Sequence, residues 1–205
     1  MTTMAHSTTA ARRRRRRLVS GACAGVAVAA TTMLGAVTSP AAAADACPPP
    51  NPNASAPSRI SAAERDTILR IHNQARAATG ASPALAPLTW DTTLADKAQG
   101  WANIVGPSRH SDCHSASWAS GQGENIADFG TVQAGVQFWY AEKATYRYPT
   151  PVGPGAPYLH YTQMVWRDTV KIGCGKAPSP KYWPTNIVIV CRYAPAGNVW
   201  GRLPY

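Results

Sequence analysis

Toward its C-terminus the chain reads His160-Tyr161-Thr162-Gln163-Met164-Val165-Trp166 and then Ile187-Val188-Ile189-Val190-Cys191-Arg192-Tyr193-Ala194-Pro195-Ala196-Gly197-Asn198-Val199. Both blocks are rich in β-branched and aromatic residues and bounded by Gly, Pro and Asn, the composition of short strands. Segments 161–167, 170–176 and 187–193 are therefore expected as strands. Upstream the apolar spacing becomes helical. Ser61-Ala62-Ala63-Glu64 reads as a capping box, and Ile68, Ile71, His72 and Ala75 follow on one face until Gly80 and Pro83 stop the run. A second helix is expected from Asp91, with Leu94, Ala98, Trp101, Ala102 and Val105 as its apolar stripe, and a third over 132–144, which sets Val136, Trp139 and Glu142 along one side. Three helices and at least three antiparallel strands make a layered α+β domain.

Two more blocks, His72-Asn73-Gln74-Ala75-Arg76 and Gly123-Glu124-Asn125-Ile126, precede the first two. The four in this order, spread over residues 61–205, resemble the signatures of the CAP superfamily, which joins cysteine-rich secretory, antigen 5 and plant pathogenesis-related class one proteins. The resemblance implies a three-layer α-β-α sandwich with a central antiparallel sheet, and an open cavity ringed by two His and two Glu. Carried over residue by residue, the cavity tetrad is Glu124 from Gly-Glu-Asn-Ile, Glu142 from Trp139-Tyr140-Ala141-Glu142-Lys143, His160 from the head of His-Tyr-Thr-Gln, and one histidine of Arg109-His110-Ser111-Asp112-Cys113-His114-Ser115. In that last stretch a His three residues before the Cys fits the antigen 5 form and selects His110, with His114 as the alternative.

Two neutral imidazoles facing a solvent cavity supply two ligands for a borderline divalent cation, and nearby carboxylates can orient them. His110 and His160 are thus the expected ligands for Zn²⁺ or another divalent cation. A catalytic zinc takes three protein ligands and an open water position, so the expected site is weak and exchangeable. The chain has neither a His-Glu-x-x-His helix nor a Gly-x-Ser-x-Gly elbow. The same tetrad also reads as structural, its Glu–His hydrogen bonds tying loops to the sheet. His72, Asn73 and Arg76 read as a buried hydrogen-bonding knot, and Trp101, Trp139 and Trp166 as core. Thr162 and Gln163, on a strand, would point to opposite faces. The Tyr- and Pro-rich loop 146–158 is expected to expose apolar surface along a lipid groove.

The first 44 residues have the order of a secretory signal: Arg12 to Arg17, an apolar run, and an alanine-rich cleavage site before Asp45. Gly21, Gly25 and many alanines argue against a stable membrane anchor. Sec and twin-arginine routes both stay open. Six of the 20 Lys and Arg lie in this segment and all ten acidic residues lie at Asp45 or beyond, leaving 14 − 10 = +4 for the remainder. No basic cluster is left to neutralise phosphates, which argues against nucleic acid as a partner. Residues 45–60 read as a Pro-rich, extended, poorly packed arm and 61–205 as a single domain.

Cys47, Cys113, Cys174 and Cys191 remain beyond the signal. In an exported chain an even count implies disulfides, with three possible connectivities for four cysteines. Cys174 and Cys191 lie on segments that read as neighbouring strands, and the resemblance pairs them as well. Cys47 and Cys113 are then left to each other. The expected molecule is a secreted, monomeric binding module with a sterol or other lipid as ligand. A metal-assisted hydrolase built on His110, Glu124, Glu142 and His160 is the enzymatic alternative. A precursor cut before Pro195 to release residues 195–205 is the third.

Overall fold

The computed structural model describes residues 46–108, 112–180 and 183–205. Helices α1 (Ala62–Ala77), α2 (Thr92–Val105), α3 (Val132–Ala141) and α4 (Leu159–Met164) accompany strands β1 (Thr89–Trp90), β2 (Gly123–Phe129), β3 (Lys171–Pro178) and β4 (Ile187–Ala194). The expected export signal falls outside the described residues, and no helix among them is long and apolar enough to cross a membrane.

The helices begin where side chains close their free amides. Ser61 and Glu64 form both halves of the capping box on α1, Asp91 accepts from Leu94 N at the start of α2, and Thr131 accepts from Ala134 N at the start of α3. Each such cap contributes about 1 kcal/mol.

The sheet runs β1-β3-β4-β2 from edge to edge. β4 is antiparallel to both of its neighbours, β3 and β2, with Cys174 opposite Cys191, but β1 is parallel to β3. The sheet is therefore mixed rather than wholly antiparallel. Asp91 explains the direction: its N–H donates to Ile172 O while its carboxylate caps α2, so the chain leaves the edge straight into that helix. β2, which periodicity did not reveal, forms the opposite edge.

Successive residues of β4 serve two cores. Ile189, Cys191 and Tyr193 face α1, α3 and α4 together with Val136, Trp139 and Met164. Val188 and Val190 face α2 with Ala98, Trp101, Ala102 and Val105. A strand covered on both sides has no solvent face to supply polar residues, which is why β4 is unbroken apolar sequence from Ile187 to Cys191 and its one charged residue, Arg192, is buried. The expected α-β-α layering follows. On the α2 side the approach is so close that a Cβ at Gly173 would lie 2.2 Å from Ala95 N and 2.4 Å from Asp91 O.

Other expectations change as well. Segment 161–167 is not a strand, because α4 occupies 159–164 and is capped at both ends from far away. Glu142 Oε2 accepts from the backbone N–H of His160 at 2.9 Å and of Tyr161 at 3.1 Å. At the other end the buried Arg76 donates to Met164 O, Trp166 O and Thr169 O at 3.1, 2.8 and 3.1 Å. Thr162 and Gln163 are consequently both buried. The third helix stops at Ala141, and Glu142–Ala144 tightens into a 3₁₀ turn.

The arm is packed rather than loose. Ala56 N donates to Asp96 O at 3.0 Å, Arg59 N to Gln99 Oε1 at 2.9 Å and Ser58 Oγ to Cys174 O at 2.8 Å. Gly100 admits it: a Cβ there would meet Ser55 N at 2.2 Å. Two disulfides, Cys47–Cys113 and Cys174–Cys191, close the arm onto the domain and β3 onto β4.

Candidate functional site

The turn after α3 places Glu142 beside the start of α4. Besides capping that helix, its Oε1 accepts from His160 Nδ1 at 2.6 Å. The His160 ring is stacked on Trp139, centroids 6.0 Å apart and planes inclined by 22°. Position and plane of this imidazole are thus held by three different elements.

The second dyad sits on the edge strand. Glu124 Oε1 accepts from His114 Nδ1 at 3.0 Å and from Ser115 N at 2.9 Å, and its Oε2 accepts from Ser115 Oγ. Directly across the register lies Arg192, fully buried, whose Nε approaches Glu124 Oε2 to 3.6 Å. Burial lowers the guanidinium pKa from its usual value, and the charge on Glu124 acts to raise it again.

A carboxylate oxygen accepts hydrogen bonds, so each ring donates from Nδ1 and each neutral imidazole keeps its lone pair on Nε2. Neither Nε2 has a hydrogen-bond partner among the described residues. Both rings line one cavity of about 520 Å³, together with Glu124, Glu142, Asn125 and Asn198. A second cavity of about 580 Å³ shares His114, Glu124, Asn198 and Trp200 with the first and is walled by Trp118 and Val199. The two form one groove, polar where the dyads stand and apolar toward the exposed Trp118 and Trp200.

His110 lies outside the described residues, and His114 is the histidine that the structure brings to Glu124. Among the described residues no group of three or more His, Cys, Asp or Glu is arranged to hold a metal. The described residues therefore do not make a closed four-ligand zinc centre, and the donors they offer to the cavity are the two imidazoles.

His72 stands behind the cavity rather than in it. Its Nδ1 donates to Ile68 O at 2.8 Å, so Nε2 accepts from Tyr193 Oη at 2.9 Å. Asn125 Nδ2 donates to Tyr193 Oη and to His160 O, both at 3.1 Å. Burial, aided by the charge on Arg76, lowers the His72 pKa to about 4. Of the expected knot, His72 and Arg76 are buried while Asn73 is half-buried and bonded to the backbone of Leu88, and the His72 bonds reach the backbone of the cavity histidine through Tyr193 and Asn125. Both lie within the quoted blocks, yet nothing local in the sequence marks them as linked. The Tyr-rich loop mostly packs inward, Tyr146 against Tyr158, Tyr161 and Tyr205, while Tyr148 stays exposed and stacked on Tyr205.

Within residues 195–205, Ala196 to Trp200 form a wall of the groove. Gly197 N donates to Gln163 Oε1 at 3.0 Å, Asn198 Oδ1 accepts from Thr162 Oγ1 at 2.7 Å, and Pro204 O accepts from Arg167 N at 2.7 Å.

A family model described as "CAP: Cysteine-rich secretory protein family" matches residues 69–193. Pathogenesis-related leaf protein 6 of Solanum lycopersicum is 43% identical over 142 residues, an alignment covering 67% of this chain and 80% of that protein. Among solved structures, Schistosoma mansoni venom allergen-like protein 4 shares 27% identity with a TM-score of 0.53, over 68% of this chain and 90% of that one. NaASP2, crystallised with Zn²⁺, has a TM-score of 0.58 at 22% identity, over 78% of this chain and 90% of that one, which is a likeness of fold.

Proposed function

The chain belongs to the CAP family of cysteine-rich secretory proteins, and on that premise we propose that it is an exported, defence- or host-directed binding module whose groove takes a sterol or other lipid and, at its polar end, a weakly held divalent cation. The observation that carries the cation is the pair of Nδ1–carboxylate bonds, which leaves the Nε2 of His114 and of His160 as lone-pair donors on one cavity. An imidazole whose Nδ1–H is held by a carboxylate has its tautomer and orientation set for a metal. Zn²⁺ there would supply a Lewis-acidic positive charge between the dyads. His114 and His160 would hold it, with Glu124 and Glu142 orienting the rings.

The lipid reading rests on the apolar half of the groove, where Trp118, Val199 and Trp200 are exposed around a cavity large enough for a small ligand. Export is supported by two disulfides, a chemistry of oxidising compartments. Each carboxylate already accepts three hydrogen bonds, which suits orienting groups better than general bases. Release of residues 195–205 would take down a groove wall, so the intact chain is the binding form.

Calorimetric titration with Zn²⁺ tests the polar end: His114→Ala and His160→Ala should each abolish binding while circular dichroism stays unchanged. Undiminished Zn²⁺ affinity in the double variant would remove the metal from this reading. Sedimentation with sterol-containing vesicles, with and without chelator, tests the apolar end. Retention in both conditions is expected, and absence of lipid binding in both would remove the lipid.

A further inference from the structure

The two dyads are not held alike. His160 is fixed by a helix terminus, a carboxylate and the Trp139 ring, whereas His114 is 57% exposed and its polar contact among the described residues is Glu124 alone. What holds Glu124 therefore decides where His114 points. Glu124 is held by Ser115, and Ser115 Oγ in turn accepts from Arg192 Nη2 at 2.9 Å. Since that hydroxyl accepts from a guanidinium, its own proton is free to go to Glu124. The rest of the guanidinium fork is spent on two other segments: Nη1 donates to Pro52 O of the arm at 2.8 Å and to Gln122 Oε1 at 3.1 Å. Nε, aimed toward Glu124 at 3.6 Å, has no hydrogen-bond partner.

We infer that Arg192 is a positioning residue for His114, and that through it the N-terminal arm is part of the binding site. The arm holds the His114 segment twice. Covalently, Cys47 is bonded to Cys113, the neighbour of His114. Non-covalently, Pro52 O is bound to the guanidinium that orders Ser115 and Glu124. A compact ammonium cannot span Pro52, Gln122 and Ser115 at once, so the planar fork of arginine is the required chemistry.

The inference takes His114 as a site residue from the reading above, but its test needs neither metal nor lipid. Imidazole ¹⁵N spectra of the full exported chain report which ring nitrogen carries the proton. In the wild type both His114 and His160 should show Nδ1 protonated. In Arg192→Met the His114 pattern should collapse to the average of two interconverting tautomers while that of His160 is unchanged, and Arg192→Lys should restore it only in part. Should Arg192→Met fail to fold, Ser115→Ala removes the relaying hydroxyl alone, and the same selective loss is expected. An unchanged His114 tautomer in a folded variant, full rescue by lysine, or equal loss at both rings would each overturn the inference.

Discussion

At the scale of single residues, the buried polar side chains among the described residues are matched to fixed partners, Arg192 Nε excepted, and the pH response follows from that. His72 is fully buried, and its pKa is lowered to about 4 chiefly by desolvation, against the hydrogen bond to Ile68 O, which raises it, and with a smaller lowering by the charge on Arg76. An unfolded histidine titrates near 6.5. Between those values the unfolded chain binds a proton that the folded chain does not. Stability from this residue is therefore complete above about pH 6.5 and declines as pH falls toward 4, by about 3 kcal/mol in all. Urea unfolding across that interval should show the slope in the wild type and its flattening in His72→Gln, which keeps an acceptor for Tyr193. A second prediction concerns Glu142. In Glu142→Gln an amide replaces an acceptor-only group, so the backbone N–H groups of α4 and the His160 ring can no longer all be satisfied. Zn²⁺ affinity should drop 10- to 100-fold, the range for loss of a carboxylate behind a ligating histidine, as read by calorimetry.

At the scale of elements, what was legible in the sequence was local, and what was missed was held from a distance. α1 and α2 announce their starts with Ser61 and Asp91, because caps act within three residues of themselves, and α3 has a cap of the same kind in Thr131, which the reading of the sequence did not pick out. α4 has no such signal, and Tyr158 makes no side-chain cap. Its sequence has strand composition, and it is helical because Glu142 and Arg76 satisfy its ends. Glu124, Glu142 and His160 could be singled out from their blocks. Which histidine faces Glu124 depends on the loop before β2, and local spacing did not determine that. Arg76→Lys should therefore destabilise the domain by about 3 kcal/mol or more, since several buried carbonyls lose their donor at once. Gly173→Ala should cost about 3 kcal/mol, because the added methyl meets backbone rather than a side chain that can swing away. Thermal and denaturant melts measure both.

At the scale of the whole molecule, the disulfides differ in reach and in access. Cys47–Cys113 spans 66 residues and Cys174–Cys191 spans 17. In the chain-entropy account these closures are worth about 4 and about 3 kcal/mol respectively. Cys47 is exposed, while Cys174 and Cys191 are wholly buried beneath α1, α3 and α4. Mild reductant followed by alkylation should label Cys47 and Cys113 first. Labelling of Cys174 and Cys191 should await global unfolding, which mass mapping against denaturant concentration would show.

The seven tryptophans divide the molecule in a way that can be seen by light. Trp101, Trp139 and Trp166 are sealed in the cores, Trp90 is half-buried, and Trp118, Trp183 and Trp200 face solvent. Emission should contain a blue component untouched by aqueous quenchers and a red one that iodide removes. Trp118 and Trp200 stand at the groove, so a ligand seated there should shield part of the red component, and Trp139, stacked on His160, should respond to a cation seated at that ring. The native fluorescence of the chain thus serves as a built-in gauge of what occupies each half of the groove.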